Sequence, residues 1–211
     1  TRNDHRRHLA GKARYEGARY FLRARGIELP FGDPDDPPER ESVCGLGNRK
    51  NERYLELLAD GALESFGHAE RAVRRLRETG VKTAVASSSR NASSVLEAAG
   101  LAGLFDAVVD GTTLADDPEL TGKPAPDLFL EAARRVGASP GRTVVVEDSR
   151  AGVEAARRGE FRLVIGLCRD RDPSRLEEAG ADLVVRDLGE VPISSGHGHQ
   201  AARDEPRADA T

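Results

Sequence analysis

Methionine and tryptophan are absent from these 211 residues, and aromatic side chains make up 4% of them. The core must therefore be built from Leu, Val and Ala. The length suits one domain, or a domain with an insert. Without methionine at its head, the chain is expected to begin downstream of its translation start. Cysteine is limited to Cys44 and Cys168, far apart in the sequence, which excludes a dense disulfide framework and favours reduced thiols. No apolar run reaches the length of a membrane span, and no signal-peptide h-region occurs, so a soluble, cytoplasmic chain is expected. Net charge is −4 with both signs interspersed, so no basic face invites nucleic acid. Arg71, Arg74, Arg75 and Arg77 share one helix with Glu70 and Glu78, as a solvated face does.

Residues 1–63 read as helical, without strands. Tyr15 to Arg25 places Ala18, Phe21, Leu22 and Ala24 on one face and closes at Gly26, and Asn51 to Leu63 is again amphipathic. Between them, Leu29 to Pro38 has the composition of a loop. From His68 onward helices and short apolar strands alternate, with strands expected at 81–86, 107–109, 143–147, 162–166 and 182–185. Helices are expected at 68–79, 92–99, 127–136, 151–158 and 173–179. That alternation is the signature of a parallel sheet covered on both faces. The segment 64–191 forms this α/β core, and 192–211, with His197 and His199, reads as a disordered tail.

Val144-Val145-Val146-Glu147-Asp148-Ser149 is the stretch richest in chemistry. Adjacent carboxylates repel and resist desolvation unless a cation sits between them. The carboxyl ends of strands are where open α/β sheets bind ligands, and oxygen donors of this kind suit Mg²⁺. The alternative is a Glu facing solvent and an Asp capping the next helix. Two further strand ends bear on the choice. Thr83 to Ala86 breaks into Ser87-Ser88-Ser89-Arg90-Asn91 before a helix, an arrangement shared by phosphate sites and ordinary caps. Gly122-Lys123-Pro124 places one of only four lysines (Lys12, Lys50, Lys82, Lys123) among 32 basic residues on a constrained loop.

In order and spacing, Ser87, Gly122-Lys123-Pro124 and Glu147-Asp148 resemble the second, third and fourth motifs of the haloacid dehalogenase-like superfamily. Leu104-Phe105-Asp106, Val109-Asp110-Gly111 and Ala151 to Ala156 resemble its core. The resemblance covers roughly residues 62–191, and the N-terminal third resembles the helical cap of the β-phosphoglucomutase-like branch. It implies a Rossmann-like parallel sheet with helices on both faces and a partial helical cap at 1–63. It also implies Mg²⁺-dependent phosphoryl transfer on a small sugar phosphate, by a hydrolase or a mutase. In that scheme Ser87 donates to a phosphoryl oxygen and Lys123 neutralises the transferring group. Asp148 holds the metal, with Glu147 on a metal water or behind it, and Ser88, Ser89 and Asn91 bind substrate. Because successive strand residues face opposite ways, both acids reach one metal only if the chain turns at Asp148.

Gly11-Lys12-Ala13-Arg14 and Gly45-Leu46-Gly47-Asn48-Arg49-Lys50-Asn51 each combine glycine with cations, either as an anion site or as exposed turns. In the resembling mutases such segments hold the phosphate that is not transferred, which puts Arg14 and Lys50 against substrate. The superfamily's first strand, ending in Asp-x-Asp with the nucleophile, has no counterpart before Ser87. The expectation is therefore an N-terminally shortened chain, with its absent strand belonging between the strands that end at Ser87 and Glu147. The rival functions are a non-catalytic remnant that keeps an anion pocket and, less well matched, a receiver-like domain.

Overall fold

The structure is a computed structural model, and it describes residues 12–61, 67–169 and 172–191. The expected boundary near 63 and the expected tail at 192–211 lie outside the described residues. The N-terminal unit is a pair of helices, α1 (Arg14–Arg23) and α2 (Val43–Ala59), packed on each other. Ala18 and Leu22 of α1 bury against Val43, with Tyr15, Leu29 and Leu46 completing the cluster. The connection between the helices is pinned by Asp36, which is buried and accepts from Ser42 Oγ at 2.6 Å and Asp33 N at 3.1 Å. Ser42 in turn caps α2 through Gly45 N. Asp33-Pro34-Asp35 lies in this loop, far in the chain from any strand.

Helix α2 begins eight residues earlier than the apolar pattern places it, which corrects the reading of residues 45–51 as a glycine-rich turn. Gly45 and Gly47 are buried within the helix. A Cβ on Gly45 would lie 2.3 Å from the Arg40 carbonyl oxygen, and one on Gly47 would lie 2.9 Å from the Tyr15 ring. The glycines serve close packing, and the helix absorbs their unfavourable propensity.

The second unit runs α3 (Gly67–Glu78), β1 (Ala84–Ala86), α4 (Ala92–Ala98), β2 (Ala107–Val109), α5 (Gly111–Asp116) and α6 (Asp127–Arg135). Then come β3 (Val144–Glu147), α7 (Arg150–Arg158), β4 (Leu163–Leu167), α8 (Ser174–Glu177) and β5 (Leu183–Val185), with 3₁₀ turns at Pro140–Arg142 and Leu188–Glu190. Each strand lies within a residue or three of its expected bounds. Helix α5 was not anticipated, because Asp110 caps a segment of only six residues.

All ladders are parallel, and they form two sheets: β1 with β2, and β3-β4-β5. Among the described residues no ladder joins β1 to β3. Helix α6 packs on β1 and β2, and α7 on β3 and β4. The main core lies under α6, α7 and α8, with Val145, Val164, Val153, Phe129, Phe161 and Leu176 buried together. On the opposite face of that sheet Val144, Val146 and Leu183 remain exposed. Ala86 packs against both the main core and the Val109–Leu128–Ala132 cluster, so the two sheets share one hydrophobic interior.

Candidate active site at the carboxyl ends of the strands

Each strand feeds its last residues into a loop before the next helix, so chemistry-bearing residues gather at one edge of the fold. Thr83 O and Ser87 N both bond to the β2 segment. Backbone groups of alternate strand residues point to opposite edges, so those of Ala84 and Ala86 face away from β2. On that open side, Ala86 O accepts from Lys123 Nζ at 3.2 Å. The same ammonium pairs with Glu147 Oε2 at 2.7 Å. One lysine thus bridges the ends of β1 and β3, strands that share no ladder.

Lys123 sits on a loop that the fold holds firmly. Its peptide bond to Pro124 is cis, Thr121 N donates to Asp127 at 2.7 Å, and Arg158 donates to Pro124 O at 3.2 Å. The ammonium lies 4.5 Å above the Phe129 ring centroid, which favours a charge there and repels an anion from below. An ammonium has three donors, and two are committed here.

Both oxygens of Glu147 are engaged. Oε2 takes Lys123, and Oε1 accepts from Ser149 N at 3.0 Å and Ser149 Oγ at 2.6 Å. Ser149 Oγ also accepts from Gly152 N and so caps α7. Gly152 must be glycine, since a Cβ would fall 2.0 Å from Glu147 Cδ. Asp148 stands just past the end of β3, where the chain bends, and is exposed. Desolvation by the surrounding protein and the neighbouring Glu147 carboxylate push its carboxyl up, against the opposing pull of Lys123 and Arg169. Asp148 is an oxygen donor of the kind Mg²⁺ takes, and Glu147, already engaged, could meet a cation only through water or by releasing Lys123. Among the described residues no group of three or more His, Cys, Asp or Glu forms a metal cluster.

Ser87 lies one residue beyond Ala86, beside Lys123. Its Oγ accepts from Ser89 N at 3.2 Å, which leaves its O–H to donate outward. Ser89 Oγ accepts from Asn91 N at 3.1 Å, and Ser88 is buried. The loop rests on α5, where Gly111 N donates to Ser89 O and a Cβ on Gly111 would meet Ser88 O at 2.7 Å. Asn91 reaches the N-terminal unit, its Nδ2 donating to Asn51 Oδ1 at 2.6 Å.

Arg14, at the start of α1, donates to Asn48 Oδ1 at 3.3 Å, beside Tyr15 OH at 2.9 Å on the same oxygen. Lys12 lies 4.3 Å over the Tyr20 ring, and Lys50 is an exposed residue on α2, adjacent to Asn51. The structure thus brings Ser87, Lys123, Glu147 and Asp148 to one edge, while Arg14 and Lys50 belong to the helical unit. Sequence reasoning missed Phe129, Ser149 and Arg169. Only Ser149, as the hydroxyl between Glu147-Asp148 and a helix, carried a usable signal.

A family model for haloacid dehalogenase-like hydrolases matches residues 3–159. A β-phosphoglucomutase from Mycobacterium bovis is 42% identical over 191 residues, covering 89% of this chain and 72% of that protein. A trehalose-phosphate phosphatase from Mycobacterium leprae is 44% identical over 128 residues, covering 59% of this chain and 28% of that protein. Among solved structures, CbbY from Rhodobacter sphaeroides with xylulose-(1,5)bisphosphate superposes with a TM-score of 0.68 at 25% identity, covering 90% of this chain and 80% of that one. The β-phosphoglucomutase of Clostridium difficile has the same fold, with a TM-score of 0.71 at 22% identity over 88% of this chain and 75% of that one. The chain belongs to the haloacid dehalogenase-like hydrolases, in their β-phosphoglucomutase-like branch, a family of phosphohydrolases and phosphomutases.

Proposed function

We propose that this chain serves Mg²⁺-dependent phosphoryl transfer on a small sugar phosphate, with Ser87, Lys123 and Asp148 as its working residues. The observation that carries the reading is the Lys123 ammonium, bonded at once to Ala86 O and Glu147. It supports a single anion site between two strand ends. Lys123 supplies positive charge where a phosphoryl group spreads negative charge over its equatorial oxygens. Ser87, which accepts from Ser89 N, has its O–H to offer to one of those oxygens. Asp148 would hold Mg²⁺, whose chemistry is to neutralise the phosphoryl oxygens and fix them in line. Glu147 keeps Lys123 oriented. Arg14 and Lys50 are proposed to meet the remainder of the substrate. The sugar phosphates named for the relatives support that class of ligand.

The covalent step in this scheme needs a carboxylate nucleophile, and we propose that it enters on a strand lying between the open edges of β1 and β3. The absence of a ladder there supports the placement. The test is turnover of sugar phosphates and p-nitrophenyl phosphate with and without Mg²⁺. The 211-residue chain should be inactive. A version carrying an in-frame strand ending in Asp-x-Asp should be active, and in it Lys123→Ala or Asp148→Asn should cut turnover by a few orders of magnitude. Robust turnover by the 211-residue chain, abolished by Ser87→Ala, would overturn the mechanism. Inactivity of the extended version, with phosphate still bound, would instead favour a non-catalytic anion-binding module.

A further inference from the structure

Asn91 occupies the N-cap position of α4 and does not cap it. Its backbone is at φ −100° and ψ 12°, and its side chain makes no bond to the first turn of the helix. Asparagine is among the best N-cap residues because its side-chain oxygen accepts from those first-turn amides. A residue so suited to capping, held away from it, is engaged elsewhere. Here the Asn91 amide donates to Asn51 Oδ1 at 2.6 Å, across forty positions of sequence, in a half-buried contact between helix α2 and the core.

We infer that Asn51 is a positioning residue for the Ser87–Asn91 loop, so that the helical unit orders the anion-binding edge of the core through one side-chain amide. The connection is continuous. Asn51 fixes the Asn91 side chain, Asn91 N bonds Ser89 Oγ at 3.1 Å, and Ser89 N bonds Ser87 Oγ at 3.2 Å. The last of these bonds takes up one acceptor site on Ser87 Oγ and ties its side chain to the loop. Behind the loop, Ser89 O is held by Gly111 N and Ser87 N by Val109 O. The core therefore fixes the backbone at two points and Val95 N holds the Asn91 carbonyl, while the Asn91 side chain is held by its partner in α2.

The inference rests on the proposal that this loop meets a phosphoryl group, and it makes a separate demand. Asn51 sits next to Lys50 but acts on the core and not on substrate. Asn51→Asp keeps an oxygen where Asn91 Nδ2 donates, while Asn51→Ala removes it. The experiment compares the two in the full chain, reading amide hydrogen exchange at Ser89 and Asn91 by NMR, then repeating it with inorganic phosphate. Loss of the bond should speed exchange at both amides about tenfold in Asn51→Ala, the equivalent of one hydrogen bond. Amides of Leu163–Leu167 should be unaffected, and Asn51→Asp should restore the slow rates. Asn91→Ala should match Asn51→Ala, and the double variant should be no faster than either. Unchanged rates in Asn51→Ala, or equal loss in Asn51→Asp and Asn51→Ala, would overturn the inference. The exchange rates need no ligand, so they judge Asn51 even if added phosphate leaves every amide unmoved. That last result would count against the phosphoryl-transfer reading instead.

Discussion

Removing the Lys123 ammonium is the sharpest test of how the site is held. Its side chain is 5% exposed and that of Glu147 is 9%, with 2.7 Å between the charged atoms. Breaking a buried pair from one side leaves the other charge uncompensated, at about 3–5 kcal/mol. Here Glu147 keeps two bonds from Ser149, which favours the lower end of that range. Loss of the contact over Phe129 and of the bond to Ala86 O adds about 1 kcal/mol. Lys123→Ala should therefore destabilise the chain by about 4 kcal/mol, a fall in Tm of roughly 10 °C for a chain of this size. Lys123→Met keeps the apolar stem and should lose nearly as much, because the deficit is electrostatic. Lys123→Met combined with Glu147→Gln should recover about 1–2 kcal/mol, since the uncompensated charge is gone. Urea denaturation followed by circular dichroism measures all three. Single variants within about 1 kcal/mol of the parent, or a double variant whose losses simply add, would show that the pair is not the keystone described here.

The core was legible because its pattern is redundant. Continuous apolar runs such as Val144-Val145-Val146 mark parallel strands, although only Val145 is buried here, and intervening helices announce themselves by caps such as Ser149 and by glycines that end them. The helical unit was less legible. Glycine carries two opposite meanings, a turn where φ is positive and a close approach where it is not. Gly26, at φ 67°, is the first kind; Gly45 and Gly47 are the second, and nothing local in Gly45-Leu46-Gly47 distinguishes them. The Ser42–Asp36 bond that starts α2 depends on a partner six residues upstream in a loop, outside the reach of periodicity.

The candidate site was legible in membership but not in pairing. Acids after an apolar strand and a hydroxyl run before a helix each mark a strand end, and parallel topology brings such ends together without further information; Lys123 instead arrives on the loop between α5 and α6. Which charge meets which is decided in three dimensions. Glu147 and Asp148 look equivalent in sequence, yet the pleat and the bend at residue 148 give Glu147 to Lys123 and Ser149 and leave Asp148 exposed. Phe129 under Lys123 and Arg169 near Asp148 were invisible. An aromatic on a helix face reads as core, and an arginine beyond a strand reads as surface.

Gly45→Ala should lower stability, because overpacking against the Arg40 carbonyl, at about 1–3 kcal/mol, exceeds the helix-propensity gain of about 1 kcal/mol; a higher urea midpoint would refute the close-packing account of α2. The last prediction concerns acid stability. Asp106 accepts from Thr83 N at 2.9 Å and pairs with Lys82 at 2.9 Å and Arg77 at 3.3 Å. These contacts, the Thr83 amide foremost, lower its carboxyl to about 2. A carboxyl depressed in the folded state contributes stability that is fully present above its unfolded pKa, near 3.9, and is lost as pH falls through the folded value. Glu131, held at about 2 by Arg134 and Arg135, titrates over the same range, so the parent's acid limb alone cannot assign the effect. The difference between parent and Asp106→Asn can, because Glu131 is common to both. The variant should have the lower urea midpoint at pH 6, and the gap should narrow steadily as pH falls from about 4 to about 2. A gap that stays constant across that window would mean that Asp106 acts through shape and its Thr83 hydrogen bond, which Asn partly preserves, and not through its charge.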